Sequence, residues 1–127
     1  TFQTGSITKK DPTAFAYCKT ENNIVTQVVE KETISNNPQK DPAVVGTFTY
    51  KKSSDFVLGA REMINKNIRV NGEYYVGTSI NQLILNNKKV VIFPIDKFVS
   101  FGDPFELELY QAWEDFFYNE KNHPYSG

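Results

Sequence analysis

The sequence has few of the residues that most often carry chemistry, with one cysteine and one histidine among 127 residues. A single cysteine excludes a disulfide within the chain. One cysteine and one distant histidine also supply too few ligands for a zinc site and form no Cys/His or Ser/His/Asp triad. Cys18 lies in an apolar segment, so we interpret it as a small buried residue rather than a reactive thiol. His123 lies in a polar tail, residues 119–127, and is not expected to be catalytic.

An excess of charge of either sign is also missing. The chain has 14 Lys and Arg residues against 15 Asp and Glu residues, and no basic run is longer than two. This balance excludes a broad electrostatic surface for nucleic acid or for an anionic membrane. No apolar run approaches the roughly 20 residues that cross a bilayer, and the first ten residues lack the ordered regions of a signal peptide. We therefore expect a cytoplasmic location, with neither nucleic acid nor membrane as a partner.

Four segments have the β-branched and aromatic composition of strands. The first two are separated by Glu21-Asn22-Asn23, which favours a tight turn and predicts a hairpin. The polar segment that follows is predicted to be an exposed, mobile loop. The last strand contains a continuous apolar run, which predicts a central position buried on both faces. The predicted strands are residues 13–20, 24–31, 43–50 and 89–95, and the loop is residues 32–42.

Three segments have apolar residues at helical spacing. The first, residues 54–65, follows Ser53-Ser54-Asp55, which offers an N-cap and a first-turn carboxylate. The second is residues 76–84. The third begins at Asp103-Pro104-Phe105-Glu106, where a capping residue precedes a proline and a glutamate at the third helical position. The order β-β-β-α-α-β-α in one unit of this length predicts an α/β fold.

Glu30 and Lys31 stand next to each other at the end of an apolar strand. Because neighbouring strand residues point to opposite faces, they cannot both be ordinary charges on one solvated face. Either one of them points towards the buried face, or the strand has ended and both project into a cleft.

Gly46 is predicted to lie inside the third strand, where glycine often marks the close approach of a ligand or of another backbone. The alternatives are a β-bulge or a contact beneath a helix. If this strand pairs with the second, Gly46 lies near Glu30 and Lys31 as a floor without a side chain. Such a site suits a phosphorylated polyol, because the ammonium neutralises a phosphate and the carboxylate accepts hydrogen bonds from hydroxyls.

Four longer segments occur in this order: DPTAFAYCKTENNIVTQVVEK, VVGTFTYKKSSDFVLGAREMI, RVNGEYYVGTSINQLI and VSFGDPFELELY. Together they resemble the second half of bacterial sugar-phosphate nucleotidyltransferases, of the branch associated with capsule and surface-polysaccharide gene clusters. The resemblance implies a partial nucleotide-diphospho-sugar transferase domain, which is Rossmann-like, with a mixed sheet and flanking helices. Residues 1–127 would be its C-terminal, sugar-phosphate-binding part. Family members join a nucleoside triphosphate to a sugar 1-phosphate, or a similar phosphorylated alcohol, and release pyrophosphate with magnesium assistance.

The resemblance also assigns roles to individual residues. Glu30 and Lys31 match a pair in which glutamate holds sugar hydroxyls and lysine binds the sugar phosphate. Gly46 matches a glycine whose backbone lies against the sugar, and Ala16 occupies a position that borders the substrate. The segment Glu73–Tyr75 resembles the far wall of the sugar pocket. The implied substrate-binding residues are therefore Lys31, Glu30, Gly46, Ala16, Glu73 and Tyr75, with no catalytic residue or metal ligand assigned in this chain.

The sequence departs from the family pattern at two points. Where many relatives carry a metal-binding aspartate, this chain has Ser100, and Asp103 is interpreted as a helix cap rather than a substitute ligand. The glycine-rich nucleotide loop and the first-half metal aspartate of the family are absent from the chain. The sequence therefore predicts the acceptor side of a site, with the nucleoside triphosphate and the main Mg²⁺ ligand belonging to a missing half.

An acceptor half alone is expected to be inactive in pyrophosphate release. It should also expose a sheet edge through which the chain self-associates into a homo-oligomer. The alternative is a complete, non-catalytic binding or interaction module, because composition does not distinguish a pocket from a partner surface.

Overall fold

The computed structural model describes residues 11–96 and 98–120, which fall into two compact units divided after Asp96. The first unit contains a two-stranded antiparallel sheet and two α-helices, and the second contains one α-helix. Within these ranges, no helix combines the length and the apolarity needed to cross a membrane. His123 and most of the predicted polar tail lie outside the described residues.

The predicted hairpin is confirmed, with strands β1 (Ala16–Glu21) and β2 (Ile24–Glu30). Its turn residues, Asn22 and Asn23, both have positive φ, which asparagine tolerates and which two-residue hairpin turns require. β1 starts later than predicted because Pro12–Ala14 forms a short 3₁₀ turn instead of strand.

A β-bulge turns two valines of β2 towards the same side of the hairpin. The consecutive residues Lys19 and Thr20 pair with residues of β2 that are two apart, so Thr26 is an extra residue. Strand residues three apart normally face opposite sides. The extra residue brings Val25 and Val28 to one face, where they are 3% and 5% exposed.

The predicted strands at residues 43–50 and 89–95 do not form, which corrects the sequence analysis. Each segment touches the hairpin at one bridge, through Ala43 beside β1 and through Val91 beside β2, and then leaves it. Val91 is 59% exposed, so the second segment lies at an edge and is not central. Among the described residues every pairing is antiparallel, so the mixed sheet is also wrong for this part of the chain. An apolar run specifies burial of side chains but does not specify a neighbouring strand.

The two helices of the first unit lie where the apolar spacing predicts, with α1 at Ser53–Asn65 and α2 at Val76–Leu85. The predicted N-cap of α1 is wrong, because Lys52 occupies the cap position and its side chain makes no capping hydrogen bond. The helices cross closely at Gly59, where an added Cβ would lie 2.7 Å from the backbone oxygen of Ser79.

The core lies between the hairpin and α2. Its buried cluster consists of Ala16, Cys18, Val25, Val28 and Ile80, with Val44, Phe48, Tyr50, Ile84, Val90 and Ile92 partly buried against it. Burial raises the pKa of the Cys18 thiol, which agrees with the expected packing role of this residue.

Asn81 of α2 is joined to the backbone of β2. Its Oδ1 accepts a hydrogen bond from the Val28 N–H at 2.7 Å, and its Nδ2 donates to the Val28 carbonyl at 2.8 Å. The side chain therefore satisfies strand groups that face away from β1 and that no neighbouring strand reaches. This two-point contact fixes α2 along the edge of β2.

In the second unit, helix α3 (Pro104–Asn119) begins as predicted. Asp103 Oδ1 accepts a hydrogen bond from the Glu106 N–H at 2.8 Å, so its interpretation as a helix cap is confirmed. Glu106 Oε2 accepts in return from the Gly102 N–H at 2.8 Å and from the Ser100 hydroxyl at 2.6 Å. None of the helical residues is buried.

We expect Asn81→Ala to lower the free energy of unfolding by about 1–3 kcal/mol, because it leaves the partly buried Val28 N–H and carbonyl unpaired. Urea unfolding followed by circular dichroism measures this change. Asn65→Ala, at an exposed position of α1, is the control and should change stability little. Equal effects of the two substitutions would mean that Asn81 does not anchor α2.

We expect Asp103→Ala to destabilise α3 by about 0.5–2 kcal/mol through loss of the N-cap hydrogen bond. Faster amide hydrogen exchange in the first turns of α3, with unchanged exchange in α1, is the expected result. Asp103→Asn retains a capping oxygen and should preserve most of the protection.

Candidate functional site

The strand ends between Glu30 and Lys31. β2 stops at Glu30, and Lys31 has a φ of 57°. The other described non-glycine residues with positive φ are all asparagines, whereas lysine is disfavoured in this region. The Lys31 N–H donates to the Phe15 carbonyl at 3.0 Å and holds the conformation. The change of backbone direction ends the strand alternation, and the charge of Lys31 acts on the Glu30 carboxyl without a direct ion pair between the two described residues.

The Glu30 carboxylate packs against the N-terminal turn of α2. A Cβ added to Gly77, the second residue of this helix, would overlap Glu30 Oε1 and would lie 3.1 Å from Val28 Cγ1. The helix needs a glycine here so that the strand end can approach. The N-cap residue, Tyr75, makes no side-chain cap, so the Glu30 carboxylate is the negative group at the positive end of the helix.

Glu30 is half-buried, and burial raises the pKa of its carboxyl, while the Lys31 ammonium lowers this pKa by a smaller amount. No residue in the described ranges donates a hydrogen bond to its oxygens. A desolvated carboxylate with unfilled acceptor positions is suited to accept hydrogen bonds from a hydroxylated ligand.

Lys31 places its ammonium beside the same helix end. Nζ donates to the Ala14 carbonyl at 2.6 Å and lies 5.8 Å from the centroid of the Tyr75 ring. An ammonium has three donors, and a single carbonyl leaves others for an anionic ligand.

Tyr75 and Glu73 form the next wall of the site. The Tyr75 hydroxyl donates to Glu73 Oε2 at 2.5 Å. This hydrogen bond, followed by burial and by the charges of Glu73 and Glu30, raises the pKa of Tyr75.

The turn before Glu73 is held by Arg69, which the sequence analysis missed. Its guanidinium lies 3.9 Å from the centroid of the Tyr74 ring, and Nη1 donates to the Gly72 carbonyl at 2.7 Å. The Asn71-Gly72 pair in the sequence indicated a turn, but nothing in its spacing indicated the cation that closes it.

Gly46 does not lie in a strand, which corrects the prediction from the sequence. It lies in a bend with φ of 85°, and an added Cβ would meet nothing within 4 Å. The positive φ, and not close approach within the chain, explains the glycine. Gly46 borders a shallow concavity of about 520 Å³ that is also lined by Phe48, Tyr50, Ser53, Phe56 and Val76. Because Val76 is the first residue of α2, this concavity reaches the same helix end.

The structure thus brings most of the predicted site residues together. Ala16 pairs with Glu30 in the hairpin register, Lys31 contacts Tyr75, and Tyr75 contacts Glu73. Gly46 is not brought to them: the concavity that it borders is lined by none of the other predicted site residues and reaches only Val76, the neighbour of Tyr75 in the chain. Gly77, which makes room for Glu30, was missed, although a glycine inside a predicted helix is an indication of close packing.

A second cavity, of about 430 Å³, is lined by core residues and by the segments at 44–49 and 90–95. Its lining residues carry no charge, so it does not suit a phosphate or a polar cofactor. The candidate site for a polar ligand is therefore the end of β2.

The family resemblance implies a Mg²⁺ site in another part of the enzyme, and it assigns no metal ligand in this chain. Within residues 11–96 and 98–120, no three His, Cys, Asp or Glu side chains come together as metal ligands. Asp103 caps α3, and Ser100 donates to Glu106.

No protein-family model matches the chain, and neither a curated protein nor a solved structure is significantly similar to it. Membership of the nucleotidyltransferases therefore stays a prediction.

The raised pKa of Glu30 predicts a pH dependence of stability. Because the folded state holds the proton more tightly than the unfolded chain, whose glutamic acid pKa is about 4.5, ionisation of Glu30 costs folding free energy. The stabilising contribution is complete below pH 4.5 and is lost as pH rises through the higher pKa of the folded state. We expect Glu30→Gln to remove this decrease in the free energy of unfolding.

Urea unfolding between pH 4 and pH 7 measures the change. Glu32→Gln removes a neighbouring exposed carboxylate and keeps Glu30, so it should retain the decrease seen in the unsubstituted protein. Identical pH profiles for Glu30→Gln and the unsubstituted protein would contradict the assignment.

Proposed function

We propose that the chain is the acceptor-binding part of a sugar-phosphate nucleotidyltransferase, in which the Glu30–Lys31 site binds a sugar 1-phosphate or a similar phosphorylated alcohol. The observation that carries this proposal is the half-buried Glu30 carboxylate, which accepts no hydrogen bond from the described residues and packs at the same end of α2 as the Lys31 ammonium. The sequence resemblance supports the same assignment.

The two charged groups suit the two ends of such a ligand. The ammonium of Lys31 neutralises phosphate oxygens and donates hydrogen bonds to them. Glu30 accepts hydrogen bonds from ring hydroxyls and so replaces the water that burial removes from its oxygens. The concavity at Gly46 leaves space for the body of the ligand beside the α2 end.

In the intact enzyme, an oxygen of the acceptor phosphate would attack the α-phosphorus of a nucleoside triphosphate in line. A new P–O bond forms, the bond to the β-phosphate breaks, and pyrophosphate leaves. Positioning and charge neutralisation supply most of the catalysis in such transfers. Lys31 would hold the attacking phosphate in place, and Glu30 would fix the orientation of the sugar.

The nucleotide side of this reaction lies outside the chain. Its sequence contains no glycine-rich phosphate loop, so we expect the 127 residues alone to bind the acceptor without releasing pyrophosphate. On this proposal residues 1–127 belong to a larger Rossmann-like, nucleotide-diphospho-sugar transferase domain, whose other half holds most of the Mg²⁺ ligands. The intact enzyme makes nucleotide sugars for surface polysaccharide in the cytoplasm.

The proposal is tested by calorimetric titration with glucose 1-phosphate. Because a hydrogen bond to a charged group contributes about 1.5–3 kcal/mol, Lys31→Met should weaken binding by roughly 10- to 100-fold. Lys19→Met, at an exposed lysine of the same hairpin, is the matched control and should bind as the unsubstituted chain does.

Glucose without phosphate separates the two roles. Lys31→Met should not change its weak binding, whereas Glu30→Gln should weaken the binding of both ligands. Equal affinity of Lys31→Met and Lys19→Met for glucose 1-phosphate would remove Lys31 from the site. Pyrophosphate release by the chain alone would show that it is not merely the acceptor part.

A further inference from the structure

A second carboxylate, that of Glu73, lies beside the candidate site. Its Oε2 accepts a hydrogen bond from the Tyr75 hydroxyl at 2.5 Å, and the Lys31 ammonium lies 5.8 Å from the centroid of the same tyrosine ring. The Glu30 carboxylate packs against Gly77, two residues after Tyr75, at the start of α2. The N-terminal end of this helix therefore carries two carboxylates, one ammonium and one phenol.

The electrostatics of Tyr75 show that both carboxylates act on the same phenol. The hydrogen bond to Glu73 makes the largest contribution to its raised pKa, followed by burial, and the charges of Glu73 and Glu30 raise this pKa further. Lys31 is the cation that the described contacts place beside the ring. Before a ligand binds, the site thus holds more negative than positive charge.

This balance of charge selects among acceptor ligands. A phosphate monoester carries about −1.5 to −2 charges near neutral pH, and one ammonium neutralises only part of this charge. Hydroxyl groups can fill the acceptor positions of Glu30, but they bring no positive charge to offset Glu30 and Glu73. A cationic group on the ligand does both.

We propose that the acceptor carries a primary ammonium, as an amino sugar 1-phosphate or another phosphorylated amino alcohol does, and that Glu30 and Glu73 bind this ammonium. The inference rests on the proposed function, in which Lys31 binds the phosphate. Glu30 accepts no hydrogen bond from the described residues, and Oε1 of Glu73 has no donor among them either. These oxygens need N–H donors, of which a primary ammonium has three and a trimethylammonium group has none.

Calorimetric titration with glucosamine 1-phosphate and glucose 1-phosphate tests the inference, because the two ligands differ only in an ammonium that replaces one hydroxyl. Near neutral pH, glucosamine 1-phosphate should bind about tenfold more tightly, since its hydrogen bonds to the carboxylates join opposite charges. Glucosamine should exceed glucose by a similar factor, because the carboxylates, and not Lys31, bind the amine.

Phosphoethanolamine distinguishes the two sources of such a ligand, because it has the phosphate and the ammonium but no sugar ring. Weaker binding than that of glucosamine 1-phosphate identifies an amino sugar as the acceptor. Tighter binding identifies a smaller amino alcohol. Both results require the ammonium that the inference assigns to Glu30 and Glu73.

Glu73→Gln tests the second carboxylate. The variant keeps an oxygen for the Tyr75 hydroxyl and removes the charge, so it should reduce the preference for glucosamine 1-phosphate over glucose 1-phosphate by about threefold or more. Lys31→Met should weaken both ligands and keep the preference. Glu21→Gln removes an exposed carboxylate at the other end of the hairpin and is the matched control. Equal weakening of both ligands by Glu73→Gln would show that Glu73 only shapes the site.

The two proposals fail in different ways. Glucose 1-phosphate that binds through Lys31 at least as tightly as glucosamine 1-phosphate would overturn the inference and leave the proposed function intact. If neither phosphate binds, or if Lys31→Met binds both as the unsubstituted chain does, the proposed function is wrong and the inference fails with it.

Discussion

The first unit depends on the contact between the Asn81 side chain and the backbone of Val28. Strand edges need hydrogen-bond partners, and here a helix side chain supplies both the acceptor and the donor. The contact fixes the position of α2 along the hairpin. This position places Gly77 beside Glu30. Because α1 packs on α2 through Gly59, the position of the second helix also determines that of the first.

The candidate site follows from this arrangement because two unfavourable local features are held together there. Lys31 adopts a backbone conformation that disfavours a lysine, and the Glu30 carboxylate is desolvated without a hydrogen-bond donor among the described residues. Such features lower stability unless the surrounding fold or a ligand compensates for them. The residue before β1 compensates for the first, because the Phe15 carbonyl accepts a hydrogen bond from the Lys31 N–H. A hydroxylated ligand would compensate for the second.

The two ends of β2 contact different parts of the chain. Towards its end, β2 is covered by Asn81 and the start of α2, which creates the polar site. Near the turn, the same strand contacts the segment Val90–Ile95, whose outer side is apolar. The polar site and the apolar contact therefore lie at opposite ends of one strand.

Local structure was largely determined by the sequence. Apolar spacing located all three helices, Asn22-Asn23 located the hairpin turn, and Asp103 with Pro104 located the start of α3. These features depend on residues within a few positions of one another, so local backbone and capping preferences suffice to specify them. For the adjacent Glu30 and Lys31 the sequence left open whether the strand continues or ends, and the structure ends it at Glu30.

The tertiary structure alone decided which segments became strands and which side chains meet. The apolar runs at 43–50 and 89–95 favour strand conformation, but pairing requires a neighbour at the correct distance, and each segment meets the hairpin at one bridge only. Three features depend on residues that are distant in the sequence, so local conformational preferences cannot specify them. They are the bulge at Thr26, the hydrogen bonds of Asn81 with Val28, and the packing of Glu30 against Gly77. Contacts across about 50 residues depend on how the helix docks, because hydrogen bonding and desolvation are set by the final neighbours and not by sequence spacing.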